Sequence, residues 1–290
     1  MFELIDRALT ENPPTIGSPM TRKLALYNLD AMLHETKYDD SEAFKNFIYS
    51  RTSLVISDLS KPVNEGMKIY KIYNEGFIAR TQSVTIAFDL VRGSCKNQLL
   101  ISDSLMRLLV EQCDILFITH NHGDHADPAV IGMFTEAGKT VIAPNNVMED
   151  NKNIQHLWSE KAISKQIQSV DVKIFPGHQD DMPNNLYVVT TKEKKTIAHI
   201  GDQYNKDDMA WIVNLKKEIP QPDALIINCW THQMNNLVEG FSPKLVIPGH
   251  ENEMGHTIDH REAFWLTFQK MQSINRDYVV MGWGEWFQCK

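Results

Sequence analysis

An α/β fold preceded by a helical extension is what this sequence predicts, and three observations predict it. The first 65 residues carry helical periodicity and no strand pattern; short β-type runs take over from about Met67; and beyond residue 104 those runs alternate with helical segments. Most of the later runs end in a loop containing His or Asp. Such loops can bring distant side chains together at one edge of a layered sheet.

The N-terminal stretch, residues 1–65, places Leu24, Leu26, Leu29 and Leu33 in one helical segment and Phe44, Phe47, Ile48, Leu54 and Val55 in the next. Asn12-Pro13-Pro14 and the Lys61-Pro62 region break it. Its apolar stripe is suited to covering a pocket or to forming a homo-oligomer surface. Residues 66–290 then read as the main domain. Strands are predicted over 67–73, 77–80 and 84–89, the first two joined by the hairpin-type turn Asn74-Glu75-Gly76. A helix over 104–112, a strand over 115–119, a helix over 128–137 and a strand over 140–143 give the α/β alternation. Further strands are readable at 172–175, 185–190, 195–200, 224–228 and 244–247, and a helix at 258–271. The aromatic close, Met281 to Phe287, reads as core or a terminal strand.

Composition removes several function classes. With 290 residues, 42% of them hydrophobic, the chain can bury a large core. The longest apolar runs, such as Ile115-Leu116-Phe117-Ile118, fall far short of the ~18 residues a membrane span needs. Glu3, Asp6 and Arg7 interrupt any signal-peptide pattern at the start, so a cytoplasmic location is the expectation. A net charge of −8 and the lack of a dense Lys/Arg stretch oppose nucleic acid as a partner and favour a small-molecule substrate. Cys95, Cys113, Cys229 and Cys289 form no CxxC pair and are expected as free thiols.

The chemistry sits in Thr119-His120-Asn121-His122-Gly123-Asp124-His125, directly after the apolar strand. Alternate spacing can aim His120 and His122 to one side of an extended loop, while a turn at Gly123 and a helix starting near Asp127-Pro128 re-aim Asp124 and His125. Neutral imidazole and carboxylate suit zinc, which in catalytic sites takes three protein ligands and a water. Four groups do not complete two such sites, so other strand-end loops must contribute. The candidates are His178 in Pro-Gly-His, Asp202 in Ile-Gly-Asp and His250 in Ile-Pro-Gly-His, each beside a glycine that permits a tight turn. His199 reads as a packed histidine, and His34 and His156 as helix-surface residues. His256 and His260, spaced i, i+4, read as pocket-rim or solvent-facing groups. Tyr204, Trp230, Thr231 and His232 follow strands on the same edge and are candidates for substrate contact or for packing.

These residues resemble the metallo-β-lactamase superfamily, whose recurrent order is an Asp at a strand end, HxHxDH, a separated His, a separated Asp and a final His. That order is matched by Asp89, then His120, His122, Asp124 and His125, then His178, Asp202 and His250, over roughly residues 66–290. The resemblance implies a four-layer αββα sandwich. It also implies that His120, His122 and His178 hold one metal ion, that Asp124, His125 and His250 hold another, that Asp202 bridges them, and that Asp89 supports the His loop. The run from Pro222 to His250, with Trp230-Thr231-His232, is similar to the L-ascorbate-6-phosphate lactonase-like branch. Two departures are the helical segment before residue 65 and a Gly201-Asp202-Gln203-Tyr204 loop lacking the Thr often seen after the family's Asp.

The expectation is therefore a hydrolase with two zinc ions, manganese or iron being the alternatives. A hydroxide bridging the ions would attack the carbonyl of a lactone or other ester, or the phosphorus of a phosphodiester, and Asp124 would orient that hydroxide or shuttle its proton. Two alternatives remain open at the level of sequence. One is an iron-dependent redox enzyme of the same superfamily; the other is a non-catalytic metal-binding interaction protein.

Overall fold

Period-two alternation along the strands decides the architecture. In the strand Ile115–Phe117, Ile115 and Phe117 enter one hydrophobic cluster while Leu116, with Ile118 beyond it, enters another. Ala224 and Ile226 likewise part from Leu225 and Ile227 in the strand Ala224–Asn228. A strand apolar on both faces must be covered on both. The computed structural model, which describes residues 1–290, satisfies this with two sheets packed face to face and helices outside.

The first seven-stranded sheet runs in the order Glu285–Cys289, Met67–Tyr73, Gly76–Arg80, Thr85–Phe88, Ile115–Phe117, Thr140–Ala143 and Ile154–His156. The second runs Asp277–Tyr278, Leu245–Gly249, Ala224–Asn228, Thr196–His199, Met182–Thr190, Val170–Gln179 and Ile163–Ile167. Each is antiparallel in one part and parallel in the other. Thr85–Phe88, Ile115–Phe117 and Thr140–Ala143 are parallel in the first sheet, and Thr196–His199, Ala224–Asn228 and Leu245–Gly249 in the second. The carboxyl ends of parallel strands are where α/β sheets bind ligands, and both sets point their loops to the same edge.

A 24-residue apolar cluster fills the space between the sheets, with Phe77, Phe88, Phe117, Tyr187 and Ile226 fully buried. A 60-residue cluster lies under the helices. Among the covering helices are Asp103–Gln112, whose Ser102 Oγ caps Leu105 N, and Pro128–Glu136, whose Asp127 caps Ala129 N with proline at the first helical position. Met234–Phe241 and Phe264–Met271 serve the same layer.

The extension forms α1 (Phe2–Glu11), α2 (Met20–Leu33) and α3 (Glu42–Leu59). Its Leu26, Leu29, Phe44, Val55 and Leu59 belong to the same cluster as Tyr70, Ile72 and Trp283 of residues 66–290. Full burial of each such side chain contributes about 1.5–3 kcal/mol. Polar ties cross the same boundary. Arg22 pairs with buried Glu285, Arg51 lies 3.2 Å from Glu285, and Asp58 accepts from Lys68 Nζ at 2.8 Å and Tyr70 Oη at 2.9 Å.

Several elements differ from the sequence-based reading. Ile154–His156 and Ile163–Ile167 were not legible because both are short edge strands, Ser164, Lys165 and Gln166 of the latter being exposed. His156 is thus on a strand, its ring bonded to Val147 O at 2.8 Å, rather than on a helix surface. His34 closes α2 and is half-buried, bridging Asp30 O and Arg261 O at 2.8 and 2.9 Å. The predicted helix over 258–271 is split into a 3-10 turn, Ile258–His260, and an α-helix, Phe264–Met271. The break holds buried Arg261, whose guanidinium binds Leu33 O and Asp39 across the chain. All four cysteines are free and buried. No helix is long and apolar enough to cross a membrane.

Candidate metal centre

Five loops at the shared sheet edge build the centre. Asp89 follows the strand Thr85–Phe88, the His120–His125 loop follows Ile115–Phe117, Gly201-Asp202 follows Thr196–His199, Trp230 follows Ala224–Asn228, and His250 follows Leu245–Gly249. Two ligand candidates depend on unusual backbone. His250 holds a left-handed φ of +69°, a conformation that costs an ordinary residue about 1–2 kcal/mol, so the fold over-determines it. Gly201, at φ +51°, precedes Asp202; a Cβ there would meet Asn184 Oδ1 and Thr119 Oγ1 at 2.5 Å.

Two donor clusters share one carboxylate. Asp124, His125, Asp202 and His250 present ligand atoms within 4.8 Å of one another, and so do His120, His122 and Asp202. In the first, His125 Nε2 lies 3.2 Å from Asp124 Oδ2 and 3.4 Å from Asp202 Oδ1, and His250 Nε2 lies 3.1 Å from Asp124 Oδ2 and 3.5 Å from Asp202 Oδ2. In the second, His120 Nε2 and His122 Nδ1 face each other at 3.2 Å, with Asp202 Oδ2 at 3.9 Å from His120. A tetrahedral ion with ligands at 2.0–2.1 Å needs donors about 3.3–3.4 Å apart. The first cluster has that spacing throughout, and the second has it between His120 and His122, with Asp202 half an ångström further out.

Charge and hydrogen bonding fit the same group. Burial opposes ionisation of Asp124 and Asp202, yet the adjoining His125 and His250 hold both carboxyls well below the usual range. Burial likewise opposes charge on His125 and His250, but the two carboxylates outweigh it and raise both imidazoles well above their ordinary value. Two shared protons balance two acids here, and one divalent cation carries the same charge. Burial, with His125 beside it, holds His120 down at about 3, so its ring is neutral and ready to donate a lone pair. His125 Nε2 is buried with no hydrogen-bond partner, an orphan that a metal ion would satisfy.

Behind the donors, Asp89 accepts from Thr119 N at 2.8 Å, Thr119 Oγ1 at 2.6 Å and His125 Nδ1 at 2.8 Å. This fixes the tautomer that leaves Nε2 free to ligate. His178 stands apart from both clusters. It is half-buried on the strand Val170–Gln179, with Nδ1 3.1 Å from Asp208 Oδ2 and its ring edge-on to Trp158. Its neighbour Gln179 is the residue that reaches Asp202, with Nε2 3.2 Å from Oδ2. His199 is packed, stacked on Phe88 and bonded to Glu75 O and Gly201 N, and joins neither cluster.

Sequence reasoning passed over other groups that hold the centre. Asn74 Nδ2 donates to Asp124 Oδ2 at 3.1 Å, and Asn228 Nδ2 to Asp202 Oδ1 at 2.5 Å. Glu75 is fully buried with neither carboxylate oxygen hydrogen-bonded, and burial pushes its carboxyl well above the usual range. A Cβ at Gly249 would lie 2.6 Å from Glu75 Oε2, so the residue before His250 must be glycine to admit that carboxyl. Lys71 and Glu251 form a fully buried pair beneath. Asn74-Glu75 read only as a hairpin turn; a carboxylate in a turn that does not need one was the available signal.

Above the donors opens a cleft of 620 Å³ lined by Tyr204, Trp230, Thr231 and His232 together with His256 and His260. His122, Asp124, Asp202 and His250 form its floor.

No protein-family model matches this sequence, and no curated protein does either. Solved structures do match. Igni18, a novel metallo hydrolase from the archaeon Ignicoccus hospitalis, aligns with 78% of this chain and all of its own at 19% identity and a TM-score of 0.57. CmlA, a diiron β-hydroxylase from Streptomyces venezuelae, aligns over 79% of this chain and 55% of its own at 14% identity and a TM-score of 0.56. YhfI of Bacillus subtilis, a metallo-β-lactamase fold protein, aligns over 77% of this chain and all of its own at 10% identity and a TM-score of 0.53. With two mixed sheets between helical layers and a His/Asp cluster at their common edge, the chain has the metallo-β-lactamase fold.

Proposed function

We propose that this protein is a metal-dependent hydrolase with a dinuclear centre, acting on a lactone or other ester or on a phosphodiester of a small molecule. The observation that carries the reading is the pair of donor clusters sharing Asp202 at ligand spacing. On this reading His120 and His122 would hold one ion, Asp124, His125 and His250 the other, and Asp202 both, while His178, which stands apart from both clusters beside Asp208, would have to move to join the first. Bound there, divalent zinc would make a water acidic enough to attack near neutral pH and would stabilise the oxyanion that forms.

The protein's own groups do the rest. Asp124, partly exposed at the cleft floor and held by Asn74, His125 and His250, would accept a proton from the attacking water and pass it to the leaving group. Asp89 keeps His125 in the ligating tautomer, and the αL backbone at residue 250 aims the last imidazole. Residues 66–290 would form the hydrolase domain, with residues 1–65 an extension that braces the loop after His250 through Asp30, which accepts from Asn252 Nδ2 at 2.8 Å.

An iron-dependent oxidation is the second reading, favoured by one observation: the diiron β-hydroxylase shares this fold. Metal analysis by mass spectrometry on protein purified without added metal, paired with turnover of a lactone and a bis-aryl phosphodiester, separates the two. About two zinc ions per chain with hydrolysis of either probe supports the hydrolase. Iron without hydrolysis moves the assignment to redox chemistry, and no metal with no turnover leaves a non-catalytic role.

A further inference from the structure

The cleft wall above the donors is built of rings. Trp230 and His260 lie nearly parallel, 23° between their planes and 6.1 Å between centroids. His256 stands across both, at 87° to Trp230 and 80° to His260, each 6.4 Å away. The three form one contiguous wall of rings, and its inner end abuts the donor His250, 6.4 Å from both Trp230 and His256. Trp230 is fixed rather than free to swing, because its N–H donates to Asn228 Oδ1 at 2.6 Å and its indole Nε1 to His250 O at 3.3 Å. Tyr204 and His232 add a fourth and fifth ring on the opposite lip, edge to face at 5.7 Å.

The charges of the wall are as informative as its rings. No lysine or arginine lines this cleft, and Asp180 adds a carboxylate to it. Arg92 lines the neighbouring 470 Å³ cleft on the far side of Asp124, but Asp127 takes its Nε at 2.8 Å and Nη2 at 3.0 Å, and Asp103 its Nη1 at 2.9 Å. The wall histidine pushed toward charge, His256, is raised by its bond to Glu253, whose Oε2 lies 2.9 Å away and neutralises it, so a phosphate or second carboxylate on the remote part of a substrate would meet no unpaired Arg or Lys, the residues proteins ordinarily place there. Offset or edge-on aromatic contacts are worth about 0.5–1.5 kcal/mol per pair, or roughly two- to tenfold in affinity.

We propose that the cleft selects substrates whose part remote from the scissile bond is planar, aromatic and uncharged, held against the ring wall of Trp230, His256 and His260. The proposal rests on the hydrolase reading for its activity test and on the wall alone for its binding test. In the zinc-loaded protein, KM is compared for 4-phenyl-δ-valerolactone, δ-valerolactone and a phosphorylated gluconolactone, in wild type and in the His260→Leu, Trp230→Leu and Trp230→Phe variants. The aryl lactone has the lowest KM in wild type. His260→Leu and Trp230→Leu each raise that KM roughly two- to tenfold more than they raise the alkyl one, while Trp230→Phe keeps most of the preference. A lower KM for the phosphorylated lactone, or an aryl preference untouched in both leucine variants, overturns the proposal.

Binding is read separately by tryptophan fluorescence with 5-hydroxy-3-phenylpentanoate and 5-hydroxypentanoate, using Trp230→Phe as the reference. If no lactone is turned over yet the aryl acid quenches Trp230 and the alkyl acid does not, the wall assignment stands and the hydrolase reading falls. If turnover occurs and the two acids bind alike, the hydrolase stands and the proposal falls.

Discussion

Asp89→Asn tests how the centre is held. The wild-type carboxylate accepts three hydrogen bonds, from Thr119 N, Thr119 Oγ1 and His125 Nδ1, at 2.8, 2.6 and 2.8 Å. Asparagine fits the space and tolerates the left-handed φ of +43° at this position, so the backbone has no reason to move. Its amide, however, offers one acceptor and one donor group. With the oxygen kept on Thr119 N, the NH₂ group faces His125 Nδ1, which must then accept, and the ring proton moves to Nε2, the nitrogen that should ligate. Loss of such a support weakens metal binding about 10- to 100-fold, or about 1.4–2.7 kcal/mol. The metal-free fold loses in addition about 1.5–3 kcal/mol for a hydrogen bond to a buried charged group. Competition with a chromogenic chelator, with metal counted by mass spectrometry, reads the first effect, and chemical denaturation of the metal-free protein reads the second. The expected result is one weakened class of ion beside one closer to wild type, because His120 and His122 do not touch Asp89. Two ions bound with wild-type affinity would refute the argument, since His125 would not then depend on Asp89 for its tautomer.

Other expectations follow from the same geometry. Asp124→Asn is expected to keep part of its metal and lose most turnover; a fully active variant would remove Asp124 from proton transfer. His125 and His250, with pKa values raised well above the ordinary imidazole value by Asp202 and Asp124 against the opposing effect of burial, carry protons at neutral pH, and ligation requires them neutral. Zinc uptake is therefore expected to release about two protons, with affinity rising as pH rises; calorimetry in buffers of different ionisation enthalpy measures this, and pH-independent uptake contradicts it. Burial raises the Asp30 carboxyl from its ordinary value of 3.8 to about 6, against the lowering effect of its bonds from Asn252, Phe264 N and Trp265 N. The folded state thus holds the proton more tightly than the unfolded state, so this contribution is fully present below the unfolded value and is lost as pH rises through about 6, amounting to about 3 kcal/mol. The difference in stability between wild type and Asp30→Asn, followed by denaturation from pH 4 to 8, is expected to carry that slope; a flat difference would place the Asp30 carboxyl near its ordinary value.

The fold was legible wherever apolar runs were long enough to show their period. Met67–Tyr73, Thr140–Ala143 and Ala224–Asn228 coincide with the predicted strands, the last two because they read as short near-continuous apolar runs and the first because its β-branched and aromatic residues persist through Lys68 and Lys71. The polar edge strand Ile163–Ile167 carried no such pattern, and the two-residue strand Asp277–Tyr278 was too short to show one. Of the centre, the HxHxDH segment announced itself because its histidines cluster in sequence. Asn74, Asn228, Gln179 and Asp208 did not, because each is an isolated polar residue whose partner lies on another strand-end loop. Pairing across loops is a property of the sheet edge, and no local window contains it. Glu75 shows the same limit from the other side: what distinguishes it is the absence of a hydrogen-bond partner, visible only when its surroundings are assembled.

The contacts between the N-terminal helices and the loop after His250 bear on how this chain can diverge. Asp30 meets Asn252 and Asp39 meets Arg261 across 222 residues each, and Arg22 meets Glu285 across 263. Each contact is buried, so a change at one end leaves an unmatched polar group or charge at the other unless its mate changes too. Positions 30 and 252, 39 and 261, and 22 and 285 are therefore expected to drift in pairs among descendants of this sequence, and the helices and the loop to be inherited as a single unit although nearly the whole chain separates them.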